Sequence, residues 1–459
     1  MIFRPIPDRL LAQTAYLVGC PATREALVVD PERDVDRYVE AAARDGLRIV
    51  AVVETHVHAD FLSGARALAD LTGARLFLSA EGGGLPRWAE SRPEVVGLRD
   101  GDTFSVGRVG LRALHTPGHT PEHVSFVVTD GGADEPMGVL SGDFVFAGAL
   151  GRPDLLESAA AEAGAAAEGA AALFGSASRL SSWADWWQVW PGHGAGSACG
   201  KGLSDVPQTT VGYERRHNAQ LAAVRDGAEP FARQILAGQN EPPLYFARVK
   251  RANHDGVPGL KSVPRPVRVR PEDFPAGAVV LDTRPDRSAF MRGHLPGALH
   301  APLDAGFCTT VGSLVPDPET PLALVVEADQ MDAAVRALVR IGFDRVESFA
   351  TPADVAASGR ETGRIEEVGA ESVRARVRAG GAVLDVRYGP ERAAGAIPGS
   401  IHVPYTRLAD HVDRVPRGRP VLVHCASGVR SASASAFLAG RGVDVVYVNG
   451  SVAPLYEDA

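Results

Sequence analysis

One stretch of this chain repeats itself, and the repeat constrains the fold more than any other feature. Ala278-Val279-Val280-Leu281-Asp282-Thr283-Arg284 returns as Ala382-Val383-Leu384-Asp385-Val386-Arg387. Leu295-Pro296-Gly297-Ala298-Leu299-His300-Ala301-Pro302 returns as Ile397-Pro398-Gly399-Ser400-Ile401-His402-Val403-Pro404. Each copy continues into an apolar run, residues 322–326 and 421–424, followed by a loop and a helical pattern. Short apolar runs bounded by turn residues read as buried strands. Strands alternating with helices predict a parallel α/β module, here present twice at about 90–100 residues per copy.

The 459 residues exceed what one core supports, so further domains precede the repeat. Leu27-Val28-Val29-Asp30 and Ile49-Val50-Ala51-Val52-Val53 read as buried strands. Val35, Tyr38, Val39 and Ala42 mark a helix face between them, with Gly46 as its stop. The alanine-rich residues 158–173 are strong helix formers. Trp183, Trp186, Trp187 and Trp190 fall at helical spacing and predict one packed aromatic face. Residues 246–270 turn polar, basic and Pro/Gly-bearing, which places a linker at 246–267.

A net charge of −9 argues against a nucleic-acid partner, because phosphate binding wants a basic surface. Four cysteines in so long a chain make no disulfide framework and fit a reducing compartment. The first residues hold neither a signal-peptide apolar run nor an Arg/Ser-rich transit pattern. No stretch approaches the roughly 18 apolar residues a membrane span needs. A cytoplasmic protein is expected.

Four short motifs carry metal-ligand types. They are Thr55-His56-Val57-His58-Ala59-Asp60, Thr116-Pro117-Gly118-His119, Ser141-Gly142-Asp143 and Pro191-Gly192-His193-Gly194. The first follows a predicted strand directly, where ligands converge without disturbing a core. Phe61 comes next, where a two-metal site of this pattern needs another histidine. A phenyl ring binds no metal, so the set serves one ion and leaves a second site short. His115, His217 and His254 have no supporting pattern and are read as structural.

The order of these motifs resembles the metallo-β-lactamase fold, an αββα sandwich with its site at the strand ends, over residues 1–245. With Phe61 in place, the arrangement looks like the persulfide dioxygenases of that fold, which hold one non-haem Fe(II). Segments 141–155 and 191–201 are similar to persulfide dioxygenases fused to rhodanese modules. The resemblance implies His56, His119 and Asp143 as iron ligands, a two-histidine, one-carboxylate triad with positions left for substrate and O₂. His58, Asp60 and His193 would orient ligands or bound water. The triad alone leaves zinc and manganese open, so iron rests on the resemblance. Arg152 and Tyr213 are candidates to contact the substrate's carrier, with a surface or packing role as the alternative. Cys20 and Cys199 are read as small buried hydrophobes, a persulfide-handling thiol being the alternative at Cys199.

Near the C-terminal end, the run 421–424 leads into Cys425-Ala426-Ser427-Gly428-Val429-Arg430 and a helical segment. Inward-pointing loop amides, a helix N-terminus and Arg430 all favour a thiolate or persulfide at Cys425. The loop and its repeat resemble the rhodanese (sulfurtransferase) domain, whose six residues from Cys425 to Arg430 suit a sulfur acceptor. Ser427 and Gly428 would contact the transferred group. Counting from the strand of the first copy puts Glu327 at the place of Cys425 and Asp332 at that of Arg430. The domain at 268–358 is therefore expected to be inactive, a spacer or assembly surface, and that at 362–459 active through Cys425. Cys308 lies before the strand and is no nucleophile.

The fold class expected is thus α/β: an N-terminal sandwich followed by two rhodanese-like domains. The function implied is oxidation of a glutathione-type persulfide by O₂ to sulfite and thiol, with one Fe(II) per chain. Cys425 would interconvert persulfide, sulfite and thiosulfate. Assembly as a homodimer or homotetramer goes with this fold branch. The alternatives are a two-metal thioester hydrolase of the glyoxalase II type, a sulfurtransferase with an inert N-terminal scaffold, and a non-enzymatic persulfide carrier.

Overall fold

Alternation of apolar side chains along the first strands sets the layering of the N-terminal half. In the computed structural model, which describes residues 1–160, 164–360 and 362–456, a first sheet orders its strands in chain sequence. They are β1 (Ile2–Asp8), β2 (Gln13–Cys20), β3 (Glu25–Val29), β4 (Arg48–Val53), β5 (Arg75–Ser79) and β6 (Val95–Leu98). β1 to β3 are antiparallel and β3 to β6 parallel. The second sheet also follows chain order, with β7 (Thr103–Val106), β8 (Val109–His115), β9 (Val124–Thr129), β10 (Gly138–Gly142), β11 (Gln188–Pro191) and β12 (Thr209–Thr210). Only β10 and β11 pair in parallel there.

Successive strand residues face opposite sides. Tyr16 and Val18 therefore pack with Leu111, Phe126 and Leu140 between the sheets, while Ala15 and Leu17 pack outward with Tyr38 and Leu68. Those two come from the helices Asp36–Arg44 and Ala65–Thr72. Val127, Val139 and Val189 face outward from the second sheet onto the helices Ala165–Arg179 and Ala228–Leu236. The layers run αββα, as expected, and each large apolar side chain buried there contributes about 1.5–3 kcal/mol. Each of the four metal motifs starts where a strand ends: β4, β8, β10 and β11.

The repeat becomes two parallel sheets of identical strand order. The first is β13-β17-β16-β14-β15, from β13 (Val267–Arg268), β14 (Val279–Asp282), β15 (Leu299–His300), β16 (Leu322–Val325) and β17 (Val346–Ala350). The second is β18-β22-β21-β19-β20, from β18 (Glu366–Val368), β19 (Ala382–Asp385), β20 (Ile401–His402), β21 (Val421–His424) and β22 (Val445–Val448). Repeated residues make repeated bonds. Arg284 grips Asp282 as Arg387 grips Asp385, and His300 and His402 meet the carbonyls of Arg284 and Arg387.

Two expectations need correction, the linker and the shared tryptophan face. Residues 246–267 are not a plain linker, because Phe246–Asp255 is a helix burying Phe246, Val249 and Asn253. The basic residues Arg248, Lys250 and Arg251 interleaved with it hid that stripe in the sequence. The chain divides into one compact unit of Met1–Gln239 with Phe246–Lys261, and another of Asn240–Tyr245 with Ser262–Ala459. The alanine-rich stretch lies partly on Leu155–Ala160 and partly on Ala165–Arg179, and its residues 161–163 fall outside the described residues. The four tryptophans share no helix face. Trp183 and Trp187 belong to one core and Trp190 to another, while Trp186 is 60% exposed. No helix of the described residues is long and apolar enough to cross a membrane.

Candidate functional site

The loop after β4 is fixed by Asp30, which follows β3 in a left-handed backbone at φ 50°. Its carboxylate accepts the Thr55 amide at 2.7 Å and the Thr55 hydroxyl at 2.9 Å. With that proton committed to Asp30, Thr55 Oγ1 accepts from His56 Nδ1 at 2.9 Å, and Nε2 is left with a lone pair. The same elimination applies at His119, whose Nδ1 lies 3.0 Å from the Arg152 carbonyl, an acceptor only. Burial, reinforced by the charges of His58 and His119, keeps His56 well below the usual imidazole range; burial also lowers His119. Both are neutral ligands in waiting.

Asp143 completes the group. Its Oδ1 meets His193 Nδ1 at 2.7 Å, and its Oδ2 lies 3.4 Å from His119 Nε2 and 3.9 Å from His56 Nε2. Among the described residues, His56 Nε2 and Asp143 Oδ2 have no hydrogen-bond partner although both are buried. One ligand atom from each of the three residues lies within 4.8 Å of the others. A buried polar atom left unpaired costs about 1–3 kcal/mol, so two such atoms converging with the neutral His119 imidazole fit a bound divalent ion. Burial alone would raise the Asp143 pKa; the charge and hydrogen bond of His193 hold it below the usual carboxylate range.

The other expected residues stand around this cluster. His193 bridges Asp143 and Asp60 at 2.7 Å each, and the two carboxylates outweigh burial to raise it well above the usual imidazole range. His58 Nε2 faces Asp30 Oδ1 at 3.2 Å, and its ring packs against Phe61 in a tilted pair, centroids 4.3 Å apart. Phe61 is wholly buried and fills the place beside His58. Cys199 lies with Asp60 and His193, where burial first and the Asp60 and Asp143 charges next keep its thiol protonated. Cys20 packs in the inter-sheet core. Arg152 is buried and its guanidinium is held by Asp154 and the Ala198 carbonyl, so it shapes the site through the carbonyl on His119. Tyr213 sits 57% exposed against His217, and its described contacts do not join it to the cluster.

Several contributors escaped the sequence reading. His123 stacks on His56 at 5.2 Å. Its Nε2 accepts the Asp143 amide at 3.0 Å, so its Nδ1 proton points to Thr116 Oγ1 at 2.8 Å. Burial holds it down to about 4. Its position four residues after His119 was the available signal. Gly142, at φ 50°, must be glycine because a Cβ there would lie 2.7 Å from His123 Nε2 and from Thr55 Oγ1. Asn253 had no signal at all. Its amide donates to the His58 and Phe61 carbonyls at 2.8 and 2.7 Å and accepts from the Ser63 amide at 2.9 Å. Asn253→Ala is expected to destabilise this unit by about 3 kcal/mol, visible as a lower Tm in calorimetry. An unchanged Tm would mean that the loop is held by other groups.

Beside the loop, a cavity of about 650 Å³ is lined by Val57, Gly83, Pro121, Glu122, Lys250 and Arg251, among others. Lys250 Nζ donates to the Val57 carbonyl at 3.2 Å and Glu122 accepts the Val57 amide at 2.9 Å, joining the cavity wall to the residue between His56 and His58.

In the second unit, Cys425 follows β21 and is buried. Its Sγ accepts from the Gly428 amide at 3.2 Å and the Ser431 hydroxyl at 3.5 Å, at the start of the helix Val429–Ala439. Gly428, at φ 94°, has Asn449 Oδ1 and Tyr447 OH within 2.8 Å of a would-be Cβ. Arg430 forks onto both Glu391 oxygens at 2.5 and 2.7 Å and lies over the Tyr388 ring, so its charge is shared with a carboxylate rather than given to the thiol alone. In the first copy the register corrects the count. Asp282 pairs with Val325 as Asp385 pairs with His424, so Val326, not Glu327, stands at the place of Cys425. Asp332 keeps the place of Arg430 as second residue of its helix, because that loop is one residue longer. No thiol stands at that strand end. Cys308 is buried in a preceding helix, its Sγ 3.8 Å from the Ala337 carbonyl.

Comparison with known proteins supports both halves. A family model described as the metallo-beta-lactamase superfamily matches residues 8–190, and one described as a rhodanese-like domain matches 369–457. The crystal structure of a metallo-beta-lactamase from Staphylococcus aureus subsp. aureus COL is 34% identical, covering 76% of this chain and 99% of that one with a TM-score of 0.70. The mitochondrial persulfide dioxygenase of Bos taurus is 32% identical over 153 residues, which are 32% of this chain and 53% of its own. A hydroxyacylglutathione hydrolase of Polaromonas sp. is 37% identical over 110 residues, 24% of this chain and 40% of its own. The chain thus spans about half the length of the curated relatives it matches.

Proposed function

Because the chain belongs to the metallo-β-lactamase superfamily and carries a rhodanese-like domain near its C-terminal end, we propose that it is a persulfide dioxygenase joined to a sulfurtransferase. The observation that carries this reading is the donor set His56, His119 and Asp143, with Phe61 where a second-site histidine would stand; the neighbouring group of Asp60, His193 and Cys199 is closed by the His193–Asp60 hydrogen bond and a thiol that burial keeps protonated. Fe(II) bound by these three residues would supply redox chemistry and open positions for O₂ and a persulfide sulfur. The net reaction is R–S–SH + O₂ + H₂O → R–SH + SO₃²⁻ + 2 H⁺.

The protein's own groups have definable tasks in this reaction. Asp30 through Thr55, and the Arg152 carbonyl, fix the tautomers of His56 and His119, so both Nε2 lone pairs would be free to hold the ion. The bridge Asp60–His193–Asp143 holds the carboxylate ligand in orientation and keeps a proton beside the site. Lys250 and Arg251 line the adjoining cavity and offer cations to the carboxylates of a glutathione-type carrier. At Cys425, sulfane sulfur would exchange among persulfide, sulfite and thiosulfate.

A thioester hydrolase of the hydroxyacylglutathione type is the second reading, favoured by curated relatives of that name. Phe61 counts against it, since that chemistry normally uses two metals. Phe61→His is expected to raise bound metal from one to two ions per chain by elemental analysis; one ion per chain would remove Phe61 as the cause. The discriminating assay offers the iron-loaded chain glutathione persulfide and S-lactoylglutathione in parallel. Oxygen consumption with the first and no hydrolysis of the second is expected. Hydrolysis of the second without oxygen consumption on the first would reverse the assignment.

A further inference from the structure

The copy without a thiol reaches into the site of the copy that has one. Arg287 opens the helix Arg287–Arg292 that follows β14 of the first copy. Its Nη2 donates to the carbonyl of Ser427 at 3.2 Å, and its Nε donates to Asn449 Oδ1 at 3.1 Å. The neighbouring Ser288 donates to Glu367 Oε1 at 2.8 Å, and the same oxygen accepts from Asn449 Nδ2 at 2.6 Å. Two consecutive residues of the first copy thus clamp the loop and the strand end beside Cys425.

The bond to Ser427 has a specific consequence. The Ser427 carbonyl and the Gly428 amide belong to one peptide unit, which is planar and trans. That amide is the donor to Cys425 Sγ at 3.2 Å. A cation on the carbonyl polarises the peptide and strengthens its N–H as a donor to negative sulfur. Arg430, the loop's own arginine, forks onto Glu391, whereas the two hydrogen-bond partners of Arg287 named above are neutral.

We propose that Arg287 is a positioning residue of the sulfur-transfer site, acting through the Ser427–Gly428 peptide, and that the thiol-less copy is a working half of that site. This rests on the reading of Cys425 as the sulfur-transfer thiol. The step supported is attack of the Cys425 thiolate on the sulfane sulfur of thiosulfate. A new S–S bond forms on Cys425, the old one breaks, and sulfite leaves with its electron pair. The two negative charges of thiosulfate and the one of the thiolate become a persulfide anion and a sulfite dianion, so charge balances. Arg287 steadies the sulfur negative both before and after.

The test uses the full chain with thiosulfate as donor and cyanide as acceptor, alongside iodoacetamide alkylation of Cys425 followed by peptide mass. Arg287→Ala is expected to lower kcat/KM for thiosulfate roughly 10-fold and the alkylation rate roughly 3- to 10-fold. Arg287→Lys, which keeps a cationic donor, is expected to retain both within about three-fold. Arg292→Ala removes an exposed arginine of the same helix and is expected to change neither. An alkylation rate untouched by Arg287→Ala, or Arg287→Lys as slow as Arg287→Ala, would overturn the proposal. Absence of thiosulfate turnover in the unaltered chain would instead sink the reading of Cys425, and alkylation would still decide the role of Arg287.

Discussion

Asp143→Asn is expected to leave the protein nearly devoid of metal and to cut persulfide-dependent oxygen uptake by at least about 100-fold. The substitution preserves shape and removes only the charge. Asp143 Oδ2 is the carboxylate oxygen shared between His56 Nε2 and His119 Nε2, and no other described carboxylate joins that cluster. Its second oxygen also anchors His193, so the loss reaches the bridge to Asp60. Thiosulfate turnover should stay within about two-fold, because Cys425 belongs to the other compact unit and uses no metal ligand. Metal analysis and an oxygen electrode read both effects on one preparation. Full metal content in the variant would show that the three residues are not the ion's ligands.

Cys425→Ser is expected to do the reverse. A serine hydroxyl ionises far less readily than a thiol and cannot carry sulfane sulfur, so thiosulfate turnover should fall roughly 1,000-fold or more. The loop should keep its form, since the Gly428 amide and Ser431 hydroxyl can bond an oxygen as they bond sulfur. Oxygen uptake should be spared. Equal loss of both activities would contradict a division of labour between the two units. Cys20, Cys199 and Cys308 are also buried, but none sits at a strand end with a helix opening on its sulfur, and none is expected to substitute for Cys425.

Much of this was legible in the chain because the informative parts are local. A strand, a turn and one ligand per motif keep their spacing in sequence, so His56, His119 and Asp143 were readable before their convergence was seen. The repeat was legible for the same reason, since matched residues make matched strands and matched Arg–Asp pairs. What escaped were contacts made at long separation. Asn253 holds the His58–Ser63 loop from nearly 200 residues away, inside a segment whose charge made it look like a linker. Arg430 was read as a partner of the thiol, but Glu391 from another helix takes it. Arg287 showed no motif, because its meaning depends on a peptide in the other copy. The one-residue error at Val326 has a simpler origin: counting cannot see that the two loops differ in length, whereas strand register can.

One ion held by His56, His119 and Asp143 would bring O₂ and a thiol persulfide together for oxidation. Oxygen uptake by the iron-loaded chain on addition of glutathione persulfide, with sulfite and thiosulfate counted in the same vessel, tests it most directly. Rapid uptake is expected, with the sum of sulfite formed and sulfite trapped as thiosulfate equal to the oxygen consumed. No uptake with iron demonstrably bound would contradict it and bring thioester hydrolysis to the front.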